Sequence, residues 1–243
     1  MYIKTLTNLN KNLVKKLKYI DTNNLYTKLN ISDFGINMND LSKLKLSYNN
    51  LPIDSDYPDE LTVPTRYRRH CRFNININNN NIQITQNHCN KFKQNVKDFR
   101  NNTREFKPIE QSTIDDYFID LIGQIISLTH YFNPIIKKYI LDIHQVRLLS
   151  FQDISSDNSP EGIHKDGADY IISAMIINKH NIYNDTSLIY DKNKSEIYRC
   201  NLDVGDFIFQ DDVNLWHDIL PIKSCKNYIG YRDILGFDLK INQ

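Results

Sequence analysis

His164 and Asp166 stand two residues apart in Pro160-Glu161-Gly162-Ile163-His164-Lys165-Asp166-Gly167, just ahead of an apolar run. On a strand, neighbours at i and i+2 point to one face, so an imidazole and a carboxylate are expected to project together. His217 comes much later, in Asn214-Leu215-Trp216-His217-Asp218, and fifteen residues beyond it Arg232 interrupts the strand-like segment Asn227 to Leu239. Two imidazoles and one carboxylate form the facial ligand set of non-haem Fe(II), which leaves three adjacent positions open. His164, Asp166 and His217 are therefore the expected iron ligands and catalytic set. In such sites 2-oxoglutarate chelates two of the open positions and leaves the third for O₂. Its far carboxylate needs a buried cation, and Arg232 is the candidate, because a guanidinium is planar, always charged and bidentate.

Further candidates follow from strand periodicity. Gln145 and Arg147 share one face of a predicted strand, where they could line the cavity and bind a substrate carboxylate. Trp216 and Tyr228 could pack against substrate or cosubstrate. Plainer roles compete: a core histidine beside Trp216, a turn at Asp166-Gly167, an Arg232–Asp233 surface pair, core aromatics, and an outward ion pair for Arg147. An HxD motif alone is common by chance; the ordered set of HxD, distant His and later Arg is far more specific.

The elements that must carry these residues are largely strands. From Tyr170 the chain reads as short apolar runs, Tyr170 to Asn178, Ser187 to Tyr190, Ile197 to Leu202, Phe207 to Gln210, Ile219 to Ile222 and Tyr228 to Leu239, with turn residues between them. That spacing predicts a sandwich or barrel of jelly-roll type. Upstream, Ile143 to Phe151 reads as a strand entered from a helical turn or two at Ile135 to Leu141. A helix is predicted after Ser112, with Ser112 and Asp115 as a capping box and a broad apolar face from Ile114 to Leu128. Asn78 to Asn81 reads as a tight turn between two strands, because Asn tolerates the left-handed backbone. Leu6, Leu9, Leu13, Leu17 and Ile20 recur at helical spacing, and Asn23 to Glu60 reads as loop with short elements. The expected organisation is an N-terminal helical and loop extension, residues 1–60, before a catalytic domain, residues 61–243.

The chain has 243 residues and a net charge of only +1, but residues 1–110 carry +8 and residues 111–243 carry −7. The densest basic run, Thr65 to Phe73, interleaves arginines with aromatics and is the one place where nucleic-acid binding can be argued. An edge strand protected by charge, or lysines scattered by composition, accounts for it as well. Four scattered cysteines without a CxxC pair read as ordinary reduced thiols. No apolar run reaches the length of a membrane span and no secretory signal pattern is seen, so a soluble, cytoplasmic protein is expected.

Pro160 to Gly167 resembles the PEGxHxDG element of the 2-oxoglutarate and Fe(II)-dependent dioxygenases, in the branch of bacterial free L-amino-acid hydroxylases. His217-Asp218-Ile219-Leu220-Pro221-Ile222 is similar to that branch's distal-histidine strand, and Tyr231-Arg232-Asp233-Ile234-Leu235 to its closing arginine strand. Gln94, Arg104, Phe106 and Pro108 match more faintly, and the first sixty residues not at all. The resemblance implies a mainly β protein with flanking helices and a double-stranded β-helix core. It also implies Fe(II), 2-oxoglutarate and O₂ as cofactors, and hydroxylation of an unactivated C–H bond with release of succinate and CO₂. The branch's Arg-x-Asn-Ile-x-Gly-Gly-x-Ser stretch is replaced here by Asn178 to Ser187, without the arginine or the paired glycines, which puts the substrate in question. The substrate expected is a small molecule, a free amino acid; the alternatives are the same iron chemistry on nucleic acid or protein, and a β-helix domain that binds without catalysis.

Overall fold

A computed structural model describes residues 1–18, 25–54, 64–89, 91–94, 96, 101–151, 154–225 and 228–242. Its elements in order are β1 (Tyr2–Thr5), α1 (Lys11–Lys18), β2 (Tyr26–Asn30), α2 (Ser42–Ser47), β3 (Arg66–Asn78), β4 (Asn81–Asn87), β5 (Lys91–Phe92), β6 (Arg104–Glu105), α3 (Asp116–Phe132), β7 (Lys138–Ser150), β8 (Tyr170–His180), β9 (Ile182–Tyr183), β10 (Thr186–Tyr190), β11 (Glu196–Asn201), β12 (Asp206–Asp211), β13 (Trp216–Ile219), β14 (Lys223–Ser224) and β15 (Gly230–Ile241). Eight strands form one antiparallel sheet in the order β1-β4-β3-β7-β15-β8-β12-β2, and β11-β10-β13 form a second, smaller sheet. The protein is mainly β with flanking helices, in a jelly-roll architecture.

Strand alternation divides the large sheet into two faces. On one, Tyr139, Leu141 and Ile143 of β7 and Leu235, Phe237 and Leu239 of β15 join a cluster with Phe118, Leu121, Ile122, Ile125 and Ile126 of α3. On the other, Val146, Leu148 and Ile234 pack with Ile189, Leu215 and Ile219 from the region of the small sheet. Each fully buried side chain of this size contributes roughly 1.5–3 kcal/mol, so α3 is held by its apolar stripe rather than by intrinsic helix propensity. Helix α3 begins at Asp116, with Asp115 as its N-cap accepting from the Phe118 amide. The predicted Ser112–Asp115 box is thus replaced by a single Asp cap one turn later. The helical turns predicted over Ile135 to Leu141 are a strand from Lys138 onward, because pairing with β3 and β15 overrides a weak local pattern.

The Asn-rich turn is as expected: Asn79 and Asn80 take φ 48° and 63° between β3 and β4. The basic run opens β3 and pairs with β7 along its length, but β4 reaches β3 only from Arg72 onward; the run's other flank is met by single bridges, Ile53 to Tyr67 and Pro108 to His70. Three of its arginines are paired internally: Arg69 with Glu110 at 2.8 Å, Arg72 with Asp142 at 2.8 Å, Arg66 with Asp54 at 3.1 Å. Residues expected to form an N-terminal extension supply both edge strands of the large sheet, β1 and β2, and bury Leu13, Leu17, Leu29, Leu41, Leu44 and Tyr48 in its core. Leu6 and Leu9 pack against that core ahead of α1, and Ile20 and residues 55–60 lie outside the described residues. Cys71, Cys89, Cys200 and Cys225 are all free thiols. No helix among the described residues is long and apolar enough to cross a membrane.

Candidate functional site

The HxD segment is not a strand. Pro160 to Asp169 is a looped connection in which His164 alone forms a bridge, its amide and carbonyl exchanging hydrogen bonds with those of His217 at 3.0 and 2.9 Å. Gly162 and Gly167 bracket the pair with φ of 68° and 74°, the left-handed backbone that glycine adopts without a Cβ penalty. The turns they make, rather than strand alternation, aim both side chains the same way. Asp212 anchors the loop from the far side, Oδ2 accepting from the amides of Gly167 (2.8 Å) and Ala168 (3.2 Å).

His164, Asp166 and His217 then converge, each offering a ligand atom within 4.8 Å of the others. Nε2 of His217 lies 3.4 Å from Asp166 Oδ2, Nε2 of His164 lies 3.8 Å from Asp166 Oδ1, and the ring centroids are 4.1 Å apart. Facial ligands at ~2.1 Å from one ion stand about 3 Å apart, so only small shifts separate this set from a coordinated one. Nδ1 of His164 donates to the Gly162 carbonyl at 2.7 Å, which leaves its Nε2 lone pair for a metal. Gln94 donates to Asp166 Oδ1 at 2.9 Å while its own Oε1 accepts from Arg104. The carboxylate is therefore oriented by a relay that strand patterns did not reveal, although Gln94 and Arg104 belong to the faint part of the resemblance. Burial and the nearby Asp166 carboxylate push Asp212 up to about 6.

Arg232 is fully buried, and its Nε, Nη1 and Nη2 have no hydrogen-bond partner among the described residues. It shares a face of β15 with Ile234, Gly236 and Asp238, which line a cavity of ≈ 80 Å³ together with all three HxD/His residues; Arg232 sits one strand step past Ile234, behind the cavity wall. Burial lowers its pKa from the ordinary guanidinium value to about 10. A buried guanidinium without a partner is costly unless an anion meets it, so the residues present fit both a ferrous ion and a dicarboxylate cosubstrate.

The remaining candidates fall elsewhere. Gln145 and Arg147 project from the opposite face of β7. Gln145 is buried against Ser47 Oγ at 2.6 Å, and Arg147 forks onto Asp233 at 2.6 and 2.8 Å. The cavity takes the other parity, His144 and Val146. Trp216 points away from its neighbour His217, with Lys194 and Lys165 ammonium groups 4.3 and 4.9 Å from its ring centroid. Tyr228 is 71% exposed ahead of β15. The stretch Asn178 to Ser187 is largely strand, running from the end of β8 through β9 into β10; it lies by the start of β15, where the Asn181 side chain bonds the Tyr228 and Ile229 carbonyls, and none of its residues lines the cavity.

Missed from sequence were Arg68, His144 and Asp238. All three are buried in the cavity wall on β3, β7 and β15. Only their strand parity, relative to His217, could have signalled them. Burial and Arg66 bring Arg68 down to about 9; burial and Arg68 hold His144 well below its ordinary range; burial and Asp166 hold Asp238 well above it.

The fold resembles that of a bsmA homologue from Methylobium petroleophilum PM1 (17% identity, 94% of this chain and 93% of that one, TM-score 0.81) and of the IDO protein from Bacillus thuringiensis (17%, 95% and 100%, TM-score 0.76). It also resembles the Fe(II)/(alpha)ketoglutarate-dependent dioxygenase TqaL (17%, 95% and 87%, TM-score 0.65). A search of curated protein sequences finds no match. A family model for the 2OG-Fe dioxygenases matches residues 45–238, a span that holds the convergent histidines and carboxylate, the cavity and Arg232. The chain thus belongs to the 2OG-Fe dioxygenase family, enzymes that use Fe(II), 2-oxoglutarate and O₂.

Proposed function

We propose that this enzyme hydroxylates an unactivated C–H bond of a free L-amino acid, with His164, Asp166 and His217 holding iron and Arg232 taking the far carboxylate of 2-oxoglutarate. The observation that carries the reading is the convergence of those three ligand atoms on the sheet face that also presents Arg232, unpartnered among the described residues. When bound, iron, 2-oxoglutarate and O₂ supply the oxidising power, and succinate and CO₂ leave. The chain's own work is positional. Gln94 and Asp212 orient the carboxylate and its loop, the Gly162 carbonyl sets the His164 tautomer, and apolar residues such as Val146, Ile172 and Ile234 limit water around the reacting carbon.

The cavity's charges support a small zwitterionic substrate: Arg66, Arg68 and Arg104 stand with Asp54, Glu161 and Asp238 in its wall. Such a mixture matches a molecule bearing both signs, as does the resemblance of Pro160 to Gly167 to the amino-acid hydroxylases. A macromolecular substrate loses its main sequence argument, because the basic run of β3 is spent on internal pairs and on the cavity. The test is succinate formation that requires added Fe(II) and is lost in His164→Ala, Asp166→Ala and His217→Ala; turnover unchanged in all three refutes the ligand assignment. Mass spectrometry over a panel of L-amino acids should reveal one product heavier by a single oxygen. A panel without such a product removes the amino-acid reading.

A further inference from the structure

One neutral imidazole in the cavity wall holds a cation at one edge and a carboxyl group at the other. Arg68 Nη2 lies 2.7 Å from His144 Nδ1, and His144 Nε2 lies 3.2 Å from Asp238 Oδ2. A guanidinium can only donate, so Nδ1 must be the acceptor and the ring's single proton sits on Nε2, directed at Asp238. The three residues come from neighbouring strands β3, β7 and β15, and their relative exposures of 6, 7 and 4% leave them no bulk solvent.

This arrangement is hard to explain as scaffolding. Arg68 and Asp238 do not pair with one another, so each bears a desolvation cost that a direct ion pair would offset. Among the described residues Arg68 Nε has no hydrogen-bond partner, and the carboxylate that its Nη1 approaches, Asp54 at 3.9 Å, is already engaged by Arg66 at 3.1 Å. The Phe106 ring, 4.3 Å from the Arg68 guanidinium carbon, restricts how far the fork can turn. The guanidinium and the carboxyl group are thus separated by the width of an imidazole plus a hydrogen bond at either end. A carboxylate and an ammonium on one α-carbon, each hydrogen-bonded outward, span a comparable distance.

We propose that Arg68 and Asp238 are the carboxylate and ammonium anchors for the substrate, with neutral His144 as the spacer that sets their separation. The site then selects an α-amino acid over both its decarboxylated amine and its deaminated acid. This rests on the amino-acid reading given above, and deepens it by naming the two groups that recognise the zwitterion.

The test uses full-length protein loaded anaerobically with Fe(II) and 2-oxoglutarate, and binding measured calorimetrically. The probes are each L-amino acid and, for the tightest, the matching amine and deaminated acid. Arg68→Gln is expected to weaken the amino acid and the acid by roughly ten- to a hundredfold while leaving the amine as in wild type. Asp238→Asn is expected to weaken the amino acid and the amine by a similar factor while leaving the acid as in wild type. Arg68→Lys, which keeps the charge and loses the fork, should fall between and guards against a folding artefact in the glutamine variant. Equal weakening of all three probes by either variant, or no weakening at all, overturns the proposal. If an amino acid is nonetheless hydroxylated, the proposed function stands without these anchors. If no amino acid binds the loaded wild type, both fall.

Discussion

Replacing Arg232 by methionine should make the ligand-free protein more stable and the cosubstrate much harder to bind. Burial lowers the guanidinium from its ordinary value to about 10, a depression that at ~1.36 kcal/mol per pH unit corresponds to about 3 kcal/mol of unfavourable folding free energy. The sign is that of a base whose folded pKa is depressed: the penalty is present throughout the range below about 10 and is relieved as pH rises above it. None of the three guanidinium nitrogens has a hydrogen bond to lose among the described residues, so an apolar side chain of similar length removes the charge and orphans nothing. For a protein of this size each kcal/mol moves Tm by about 2–4 °C, and Arg232→Met should melt several degrees above wild type without ligand. In wild type, 2-oxoglutarate should raise Tm by saturable linkage; in the variant that shift should nearly vanish, with affinity reduced roughly a hundredfold or more for loss of a charge-assisted fork. Scanning fluorimetry across a 2-oxoglutarate titration reads both effects. A ligand-free variant that melts well below wild type would show that Arg232 has a structural partner, and an unaltered titration would take it out of cosubstrate binding.

Other outcomes follow from the same geometry. Gln94→Leu removes the amide that orients Asp166 and should weaken Fe(II) binding by roughly ten- to a hundredfold, measured by metal titration; unchanged affinity would refute the relay. Asp212 has a folded pKa raised from 3.8 to about 6, so the folded state binds more protons than the unfolded one between those values and stability falls as pH rises through the window. Metal-free wild type should therefore lose about 2 kcal/mol relative to Asp212→Asn between pH 4 and 6, seen in denaturant midpoints; parallel profiles would contradict this. Arg147→Met strands Asp233, which is fully buried, and should cost about 3 kcal/mol of stability without changing substrate selectivity, because its pair lies on the helix face of the sheet. A changed selectivity would return Arg147 to the site.

The chemistry of this protein was readable in its linear order. The ordered set His164, Asp166, His217 and Arg232 could be picked out because the needs of a ferrous ion and a dicarboxylate hold whatever the fold, and the structure brings the three ligand-type side chains of that set within 4.8 Å of one another. Alternating apolar runs after Tyr170 announced the strands, and Asn79-Asn80 announced its own turn, because both signals are local. Tertiary structure decided the rest. Gln145 and Arg147 were assigned to the cavity and lie on its reverse, since a period of two says which residues share a face and not which face is inside. Glycine turns at Gly162 and Gly167, held by Asp212, do the aiming that a strand was expected to do. Trp216 turns outward although it neighbours His217, and Tyr228 stands exposed ahead of β15. Arg68, His144 and Asp238 stand far apart in the chain, and only the pairing of β3, β7 and β15 brings a cation, a neutral ring and a carboxyl group into one wall. Ligand identity is a property of side-chain chemistry that sequence carries directly; which charges meet across a sheet depends on strand order and register, which long-range packing selects.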